Sequence, residues 1–342
     1  MIETISGLQP YINLTVREKE DILRVGTKYP WRITKHYARL MDPDDPSCPI
    51  RLQAVPDIRE LDAYGADDPL TEEDNAPVPG VIRVYPDRIA VVATARCPMY
   101  CRHCLRKRLP RDDSVDLSGN RLDRVIAYVR NDPPIRDVLV TGGDPLMLAD
   151  SELERILASF RAIPHVEILR VGTRAPCTWP ERITEDLANM LASFHPLWLS
   201  TQFNHPREIT PESARAVDIL LRRGIPVNNQ SVLLRGVNDS VETFLELCRA
   251  LVRVRVRPYY VYQAQTLSGT GHFVTSIEDG LAIMRGLRGW TTGFAVPQYI
   301  LDTPYGKIPL NSRYLKGRDG DYMEMESWSG MIWREWNPVG GK

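Results

Sequence analysis

The sequence lacks several features that would assign it to particular protein classes. No apolar run is long enough to span a membrane, and residues 1–4 do not begin a signal-peptide pattern. Only six cysteines occur among 342 residues, too few for a disulfide framework. The formal net charge is −1, which does not favour a nucleic-acid partner. We therefore expect a soluble cytoplasmic protein with no membrane or nucleic-acid partner.

What the sequence does contain is a dense cysteine motif, Cys97-Pro-Met-Tyr-Cys101-Arg-His-Cys104. Three soft thiolates at CxxxCxxC spacing can face one small volume, which suits an iron–sulfur cluster or zinc. A [4Fe–4S] cluster held by three cysteines keeps one iron open for a substrate or cofactor. The alternatives are a structural zinc site with a fourth ligand such as His103, and three unrelated core cysteines. The clustering disfavours unrelated cysteines, and there is no matching CxxC pair for zinc.

Short apolar runs alternate with amphipathic stretches from about residue 81 onward. This alternation predicts an α/β fold with a parallel sheet, and about six units suggest a barrel or part of one. In such barrels the chemistry lies on loops at the carboxyl ends of the strands, where the cysteine motif also falls. The predicted strands are 89–94, 137–141, 167–172, 197–201, 226–234, 258–262 and 293–297, and the clearest helices are 151–158, 183–191 and 241–251.

The chain before this region mixes polar helical stretches with proline-rich turns. We predict a small N-terminal helical domain over residues 1–80, a barrel over 81–300 and a C-terminal segment over 301–342. The acidic stretch 67–77 is interpreted as a solvated loop at the boundary.

Three segments together resemble the lysine 2,3-aminomutase family of radical S-adenosylmethionine (SAM) enzymes. They are Tyr85-Pro-Asp-Arg88, Cys101-Arg-His-Cys-Leu-Arg106-Lys-Arg and Thr141-Gly-Gly-Asp-Pro-Leu146, within a similarity that spans about residues 31–309. The resemblance implies a partial (β/α)6 radical SAM barrel, which periodicity alone does not separate from a full barrel or a doubly wound sheet. It also implies a [4Fe–4S] cluster, SAM and pyridoxal 5′-phosphate (PLP) as cofactors, and an electron donor such as flavodoxin or ferredoxin.

The resemblance assigns roles to individual residues, each of which has an ordinary structural alternative. A lysine can form a Schiff base when its site is partly desolvated, and a guanidinium suits a phosphate group. Arg83 is a possible second phosphate ligand, because the family's basic residue is replaced by Val84. The implied cluster ligands are Cys97, Cys101 and Cys104; the SAM-binding residues are His103, Gly142, Gly143, Asp144 and Gln230; and the PLP-binding residues are Lys307, Arg88 and Tyr85.

Substrate recognition is implied for three residues. Arg106 matches the arginine that pairs with the substrate α-carboxylate. The lysine enzyme holds the distant ammonium group with two aspartates; here Asp302 is retained and Gln265 is neutral. One carboxylate beside an amide oxygen favours a cationic group and suits a guanidinium, so arginine is preferred over lysine. Glutamate is disfavoured because Asp302 would repel its side chain.

The resemblance implies a free-amino-acid 2,3-aminomutase, and three other functions stay open at this point. They are dehydration or elimination on a hydroxylated amino acid by the same machinery, modification of a protein lysine, and a non-catalytic metal-binding scaffold. The family's C-terminal zinc-binding cysteines are absent and its barrel-loop cysteine is replaced by Ser240, so we predict no structural zinc. An aromatic tail, with Tyr314, Tyr322, Trp328, Trp333 and Trp336, predicts strands that pack on the barrel or on a second subunit of a homo-oligomer.

Overall fold

The alternation of apolar and amphipathic segments produces one central sheet with helices along it. The computed structural model describes residues 1–109, 115–311, 314–327 and 329–336. Strands β2 to β8 are parallel, and β1 and β9 pair antiparallel with them at the two edges. In spatial order the strands are β1 (Val81–Ile82), β2 (Arg88–Thr94), β3 (Asp137–Gly142), β4 (Ile168–Gly172), β5 (Leu197–Thr201), β6 (Val227–Leu233), β7 (Arg257–Gln263), β8 (Gln298–Thr303) and β9 (Gly306–Pro309).

Helices connect the parallel strands, because a chain leaving one end of a parallel strand must return to the other end before the next. Several begin at a polar cap, as where the Ser240 hydroxyl accepts a hydrogen bond from the Thr243 amide at 3.2 Å. The helices are α1 (Ile5–Leu8), α2 (Val16–Lys28), α3 (Lys35–Ala38), α4 (Pro49–Leu52), α5 (Gly119–Arg130), α6 (Asp150–Arg161), α7 (Ala175–Thr178), α8 (Glu185–Ala192), α9 (Pro211–Arg222), α10 (Val241–Arg253) and α11 (Ile277–Leu287). Six of them, α5, α6 and α8 to α11, form the crossovers between β2 and β8.

The two faces of the parallel strands differ in chemistry. In β6, Val227 and Leu233 are buried on the face toward the helices, whereas Asn228 and Gln230 line an interior cavity. Successive side chains of a strand point to opposite faces, so each strand contributes alternately to the outer core and to the cavity. Apolar residues such as Leu139 and Val232 also line the cavity, so the chamber has both polar and apolar walls.

The two edges of the sheet approach each other. The Lys307 amide on β9 donates a hydrogen bond to the Tyr85 hydroxyl, just before β2, at 2.7 Å. Nearby, the Asn75 side-chain amide donates to the Pro304 carbonyl at 3.4 Å. The open sheet thus curls into a partial barrel with six crossovers, which confirms the predicted α/β architecture.

Most predicted strands agree with the structure to within two residues at each end. The prediction for 293–297 is wrong: Gly293–Ala295 is a 3-10 helix, capped by the Thr292 hydroxyl, and the strand is β8. Pro297 has no amide to donate to a ladder, so the strand begins only after it.

The N-terminal segment is helical, as predicted, and it shares its core with the barrel. Ile22, Ile33 and Tyr37 belong to the same buried cluster as Val91 and Val140 of the sheet. Sheet and segment thus bury one continuous apolar core. The division at residues 80 and 300 stays a prediction.

The C-terminal segment forms a separate antiparallel sheet of β10 (Leu315–Asp319), β11 (Tyr322–Glu326) and β12 (Ile332–Trp336). The strands are present as predicted, but Trp333 and Trp336 are both 63% exposed and so are not packed on the barrel, while Trp328 lies outside the described residues. Packing on a second subunit stays a prediction. Glu326 forms an ion pair with Arg285 of α11. In the part of the chain that the structure describes, no helix has the length and apolar character needed to cross a bilayer.

Candidate active site

A cavity of about 850 Å³ occupies the interior of the partial barrel. It is bordered by the inward faces of β2 to β7, by the loops that follow them, and by the β8–β9 hairpin. Apart from Arg83, the structure brings every predicted site residue to this one cavity: Tyr85, Arg88, Cys97, Cys101, His103, Cys104, Arg106, Gly142, Gly143, Asp144, Gln230, Gln265, Asp302 and Lys307.

The cysteine loop follows β2 and is anchored by the N-terminal segment. The Tyr100 amide donates to the Arg32 carbonyl at 3.0 Å, and the Arg102 amide donates to the Gln53 carbonyl at 2.9 Å. The Arg102 guanidinium donates to the Glu60 carboxylate at 2.8 Å, and both side chains are buried. A loop fixed at these points holds its thiols in a constant arrangement at the cavity wall.

A buried ion cluster reinforces this anchor. Lys107 donates to Glu60 at 2.6 Å and to the Gly269 carbonyl at 2.8 Å. Although burial raises the pKa of Glu60, Arg102 and Lys107 together hold that pKa below its ordinary value. Glu60 therefore stays ionised and joins the cysteine loop to the N-terminal segment.

The donor set fits an iron–sulfur cluster. Cys97, Cys101 and Cys104 line the cavity, and Arg174 Nη1 lies 2.8 Å from the Cys101 sulfur. Burial raises the pKa of the Cys101 thiol, and the Arg174 guanidinium opposes this by favouring the thiolate that a metal requires. Within the described ranges, no three His, Cys, Asp or Glu side chains meet the geometry of a site for a single metal ion.

The glycines of the Gly142–Asp144 turn are required by a close backbone approach. A Cβ atom on Gly142 would lie 2.3 Å from the Thr94 carbonyl oxygen, and one on Gly143 would lie 2.3 Å from the Arg96 carbonyl oxygen. Gly142 also has a φ of +127°. This turn therefore packs directly on the chain that leads into Cys97.

The Asp144 carboxylate is bonded within the protein. It accepts hydrogen bonds from the Thr173 hydroxyl at 2.7 Å and from the Leu146 and Arg174 amides at 3.0 Å. Burial raises its pKa to about 6, against these hydrogen bonds. The Asp144 side chain thus fixes the conformation of the turn, and the turn itself lines the cavity.

His103 and Gln230 lie at separate places on the wall. His103 Nε2 is 3.3 Å from the Asn204 side-chain amide, and its ring meets Phe273 edge to face. Burial, aided by the charge of Arg174, lowers the pKa of His103 well below its ordinary value, so the imidazole is neutral. Gln230 on β6 donates to the Ser200 hydroxyl on β5 at 3.5 Å.

The predicted carboxylate-binding arginine already has a carboxylate partner. Arg106 Nη2 and Nε donate to Glu72 at 2.7 and 3.1 Å, and Nη1 donates to the Gly142 carbonyl at 3.3 Å. Arg108 also pairs with Glu72 and with Asp68, at 3.2 Å each. The interpretation of 67–77 as a solvated loop is therefore wrong at Glu72, which is buried because two guanidinium groups neutralise it.

The hairpin of β8 and β9 holds the predicted PLP lysine beside an aspartate. Asp302 and Lys307 face each other in register, with Nζ 3.4 Å from Oδ2. The Gln265 side-chain amide donates to the Asp302 backbone carbonyl at 3.0 Å. Gly306 has a φ of +112°, and a Cβ there would lie 2.9 Å from the Tyr85 hydroxyl. The hairpin thus places lysine, aspartate and glutamine together at one wall.

Of the two candidate phosphate-binding arginines, one lies in the cavity wall. The Arg88 guanidinium stacks 3.7 Å above the Tyr85 ring and pairs with Asp87 at 3.0 Å. Arg83 instead pairs with Asp132 and donates to the Tyr128 hydroxyl, and it does not line the cavity. The prediction that Arg83 replaces the missing basic residue is therefore wrong.

Sequence reasoning missed the group that contacts Cys101. Arg174 follows β4, and its partner Glu208 follows β5, at a distance of 2.9 Å. Both lie just beyond the carboxyl ends of parallel strands, where functional groups concentrate in such sheets. Their position after predicted strands could have marked Arg174 and Glu208 as candidate site residues. This signal is weak, because many polar loop residues share the same position.

Comparison with known proteins identifies the family. Residues 91–248 match the Radical SAM superfamily. The chain is 45% identical to L-lysine 2,3-aminomutase of Clostridium subterminale, over 99% of this chain and 82% of that protein. It is 45% identical to the Bacillus subtilis enzyme of the same name, over 97% of this chain and 71% of that protein. It is also 43% identical to glutamate 2,3-aminomutase of Clostridioides difficile, over 97% and 79%.

These relatives cover nearly the whole chain, including the cysteine loop, the Gly142–Asp144 turn and the hairpin that carries Lys307. The chain belongs to the lysine 2,3-aminomutase family of radical SAM enzymes and is an isomerase of the 2,3-aminomutase type, with an iron–sulfur cluster and SAM as cofactors.

Proposed function

We propose that this enzyme moves the α-amino group of a free, cationic amino acid to the β-carbon, with arginine preferred over lysine. The observation that supports this most is the convergence of Cys97, Cys101 and Cys104 with Arg106, Lys307 and Asp302 on one cavity. One substrate molecule in this cavity could then contact both a carboxylate-binding group and a cation-binding group while lying beside the cofactors.

Each cofactor has candidate residues in this wall. The three cysteines would hold the [4Fe–4S] cluster; His103, Gly142, Gly143, Asp144 and Gln230 would border SAM; and Lys307, Arg88 and Tyr85 would hold PLP. When bound, the cluster and SAM supply a carbon radical that removes hydrogen, and PLP carries the migrating amino group. An electron donor such as flavodoxin or ferredoxin would reduce the cluster, and a homo-oligomer is the state we propose.

Arg106 would orient the substrate by its α-carboxylate. The guanidinium presents two parallel donors, which now hold Glu72, and a substrate carboxylate offers the same pair of acceptors. Substrate binding would therefore exchange one carboxylate for another and keep the arginine paired. Such an exchange avoids leaving an unpaired charge in a buried site.

Asp302 and Gln265 would select the far end of the substrate. Asp302 already attracts a cation, the Lys307 ammonium at 3.4 Å. Because the Gln265 amide nitrogen is engaged with the Asp302 carbonyl, its oxygen is the atom left to accept a donor from the substrate. A guanidinium has enough donors for both residues, whereas the glutamate side chain would face the Asp302 charge. The lysine-named relatives also support a cationic substrate.

The test is an anaerobic assay of protein reconstituted with iron, sulfide, PLP, SAM and a reductant. Arginine, lysine, ornithine and glutamate are supplied separately, and mass spectrometry looks for 5′-deoxyadenosine and an isomeric β-amino acid. We expect an isomer from arginine, with less from lysine. A product lighter by water or ammonia would instead support elimination. No substrate-dependent 5′-deoxyadenosine would reject a free amino acid and favour a protein lysine or a scaffold.

Two variants test the assigned groups. Lys307→Ala should lose the absorbance band of lysine-bound PLP near the edge of the visible range. Lys316→Ala should keep this band, because Lys316 lies on β10 and pairs with Glu326. Gln265→Asp should move the preference from arginine toward lysine, because a second carboxylate favours a compact ammonium group. Absorbance retained in Lys307→Ala would assign PLP to another lysine, and an unchanged preference in Gln265→Asp would remove Gln265 from the substrate site.

A further inference from the structure

The guanidinium of Arg174 is held from several sides. Nη2 donates to the Gln53 side-chain oxygen at 2.7 Å and to Glu208 at 2.9 Å, and Nε donates to the Gln202 carbonyl at 3.1 Å. This leaves Nη1 directed at the Cys101 sulfur, 2.8 Å away. The side chain is 9% exposed, so the charge lies in a region with little water to screen it.

Glu208, behind the guanidinium, is held equally firmly. It accepts hydrogen bonds from the Tyr37 hydroxyl at 2.6 Å, the Gln53 side-chain amide at 3.0 Å and the His205 amide at 3.0 Å. Its side chain is fully buried. Cys101, Arg174 and Glu208 therefore form a fixed row of sulfur, positive charge and negative charge.

Charges arranged in this way change the energy needed to add an electron to a cluster bound at Cys101. Hydrogen bonds and positive charge at a ligand sulfur stabilise the reduced, more negative state of an iron–sulfur cluster and so raise its reduction potential. The negative charge behind Arg174 opposes that effect. Because neither side chain can move away, the two contributions are constant.

We propose that Arg174 and Glu208 are positioning residues that set the reduction potential of the cluster through Cys101, in opposite directions. This inference rests on the proposed function, in that Cys101 must be a cluster ligand. The Arg174 charge makes it easier for a biological reductant to deliver the electron that starts each turnover, and the Glu208 charge limits this gain.

The test measures the potential of the reconstituted protein by titration with a chemical reductant, followed by visible absorbance and electron paramagnetic resonance. At the wild-type midpoint, Arg174→Gln should lower the ratio of reduced to oxidised cluster about tenfold, which is ~59 mV for a one-electron couple. Glu208→Gln should raise the same ratio. Arg174→Lys, which keeps the charge, should lie between Arg174→Gln and the wild type.

Opposite shifts in the two variants are not expected from a general loosening of the fold, which would act in one direction. Arg182→Gln is the matched control, since this partly buried arginine pairs with Asp150, donates to the Leu146 carbonyl and does not line the cavity. Its potential should equal that of the wild type.

The possible failures are distinguishable. A wild-type protein that binds no cluster would reject the proposed function itself. Full iron content with equal potentials in all variants would overturn only the role of Arg174 and Glu208. If Arg174→Gln fails to bind iron, Glu208→Gln decides: a raised potential supports the proposal, and an unchanged or lowered one overturns it.

Discussion

The charged side chains at the two walls of the cavity differ in burial and in their number of hydrogen bonds. At the cysteine loop, Arg102 and Glu60 are 2% and 0% exposed, and each makes several bonds. At the hairpin, Lys307 and Asp302 are 31% and 21% exposed and share one contact of 3.4 Å. Buried, multiply bonded charges hold a fixed geometry, whereas a half-exposed pair exchanges partners at little cost. The first wall suits a resident cluster, and the second suits groups that must change partners in each turnover.

The largest effect is expected from removing a proposed cluster ligand. Cys101→Ala should abolish the visible absorbance and the electron paramagnetic signal of the reconstituted cluster, because the two remaining cysteines are too few to hold it. Cys248→Ala is the matched control, since Cys248 is buried in the core beside α11 and away from the cavity. Full iron content in Cys101→Ala would remove this residue from the cluster site.

Breaking the buried ion cluster should have the next largest effect. Glu60→Gln leaves Arg102 and Lys107 without their carboxylate, and a buried charge that loses its partner costs about 3–5 kcal/mol. Urea unfolding of the cluster-free protein measures the loss. A change below about 1 kcal/mol would show that this wall is no more rigid than the other.

Acid should destabilise the fold through His272, which lies close enough to Glu60 and Lys107 for their charges to act on its pKa. Burial lowers its pKa to about 4, so the folded state resists a proton that the unfolded chain accepts near 6.5. Stability should therefore fall by roughly 3 kcal/mol between pH 6.5 and pH 4, the range in which the unfolded state binds more protons. His272→Gln should flatten this part of the profile of unfolding free energy against pH. An unchanged slope would assign the acid sensitivity to other groups.

The smallest effect on stability is expected at the hairpin wall. Asp302→Asn breaks a partly exposed ion pair with a single contact, which contributes about 0–1 kcal/mol. The same variant should lose most turnover of arginine, because the substrate cation would have no carboxylate partner. Stability measured by urea and turnover measured by mass spectrometry should thus separate. A loss of stability similar to that of Glu60→Gln would contradict the contrast between the two walls.

Local signals were sufficient to predict much of this protein. Apolar runs located the parallel strands, and the family resemblance assigned residues as distant as Tyr85 and Lys307 to one site, where both line the same cavity. The strand predicted at 293–297 failed because its apolar residues fold as a 3-10 helix before Pro297.

Ion pairing was the main feature that sequence reasoning could not supply. Glu72 and Arg106 are 34 residues apart, and Arg174 and Cys101 are 73 residues apart. Nothing in either local sequence states that these side chains meet, because the meeting depends on how the N-terminal segment and the strand ends pack. Arg83 shows the same limit, since its partner Asp132 lies 49 residues away, just past the end of α5.

The hydrogen bond between Tyr85 and the Lys307 amide joins the two edges of the curled sheet. Elsewhere in the wall, neighbouring strands are joined by ladders of several paired residues, so widening the chamber there would break several hydrogen bonds together. At the seam, the Tyr85 hydroxyl meets the Lys307 amide and the Asn75 side chain meets the Pro304 carbonyl, and each such hydrogen bond contributes only about 1 kcal/mol net. The wall that carries the lysine is therefore closed by fewer hydrogen bonds than the wall between neighbouring parallel strands.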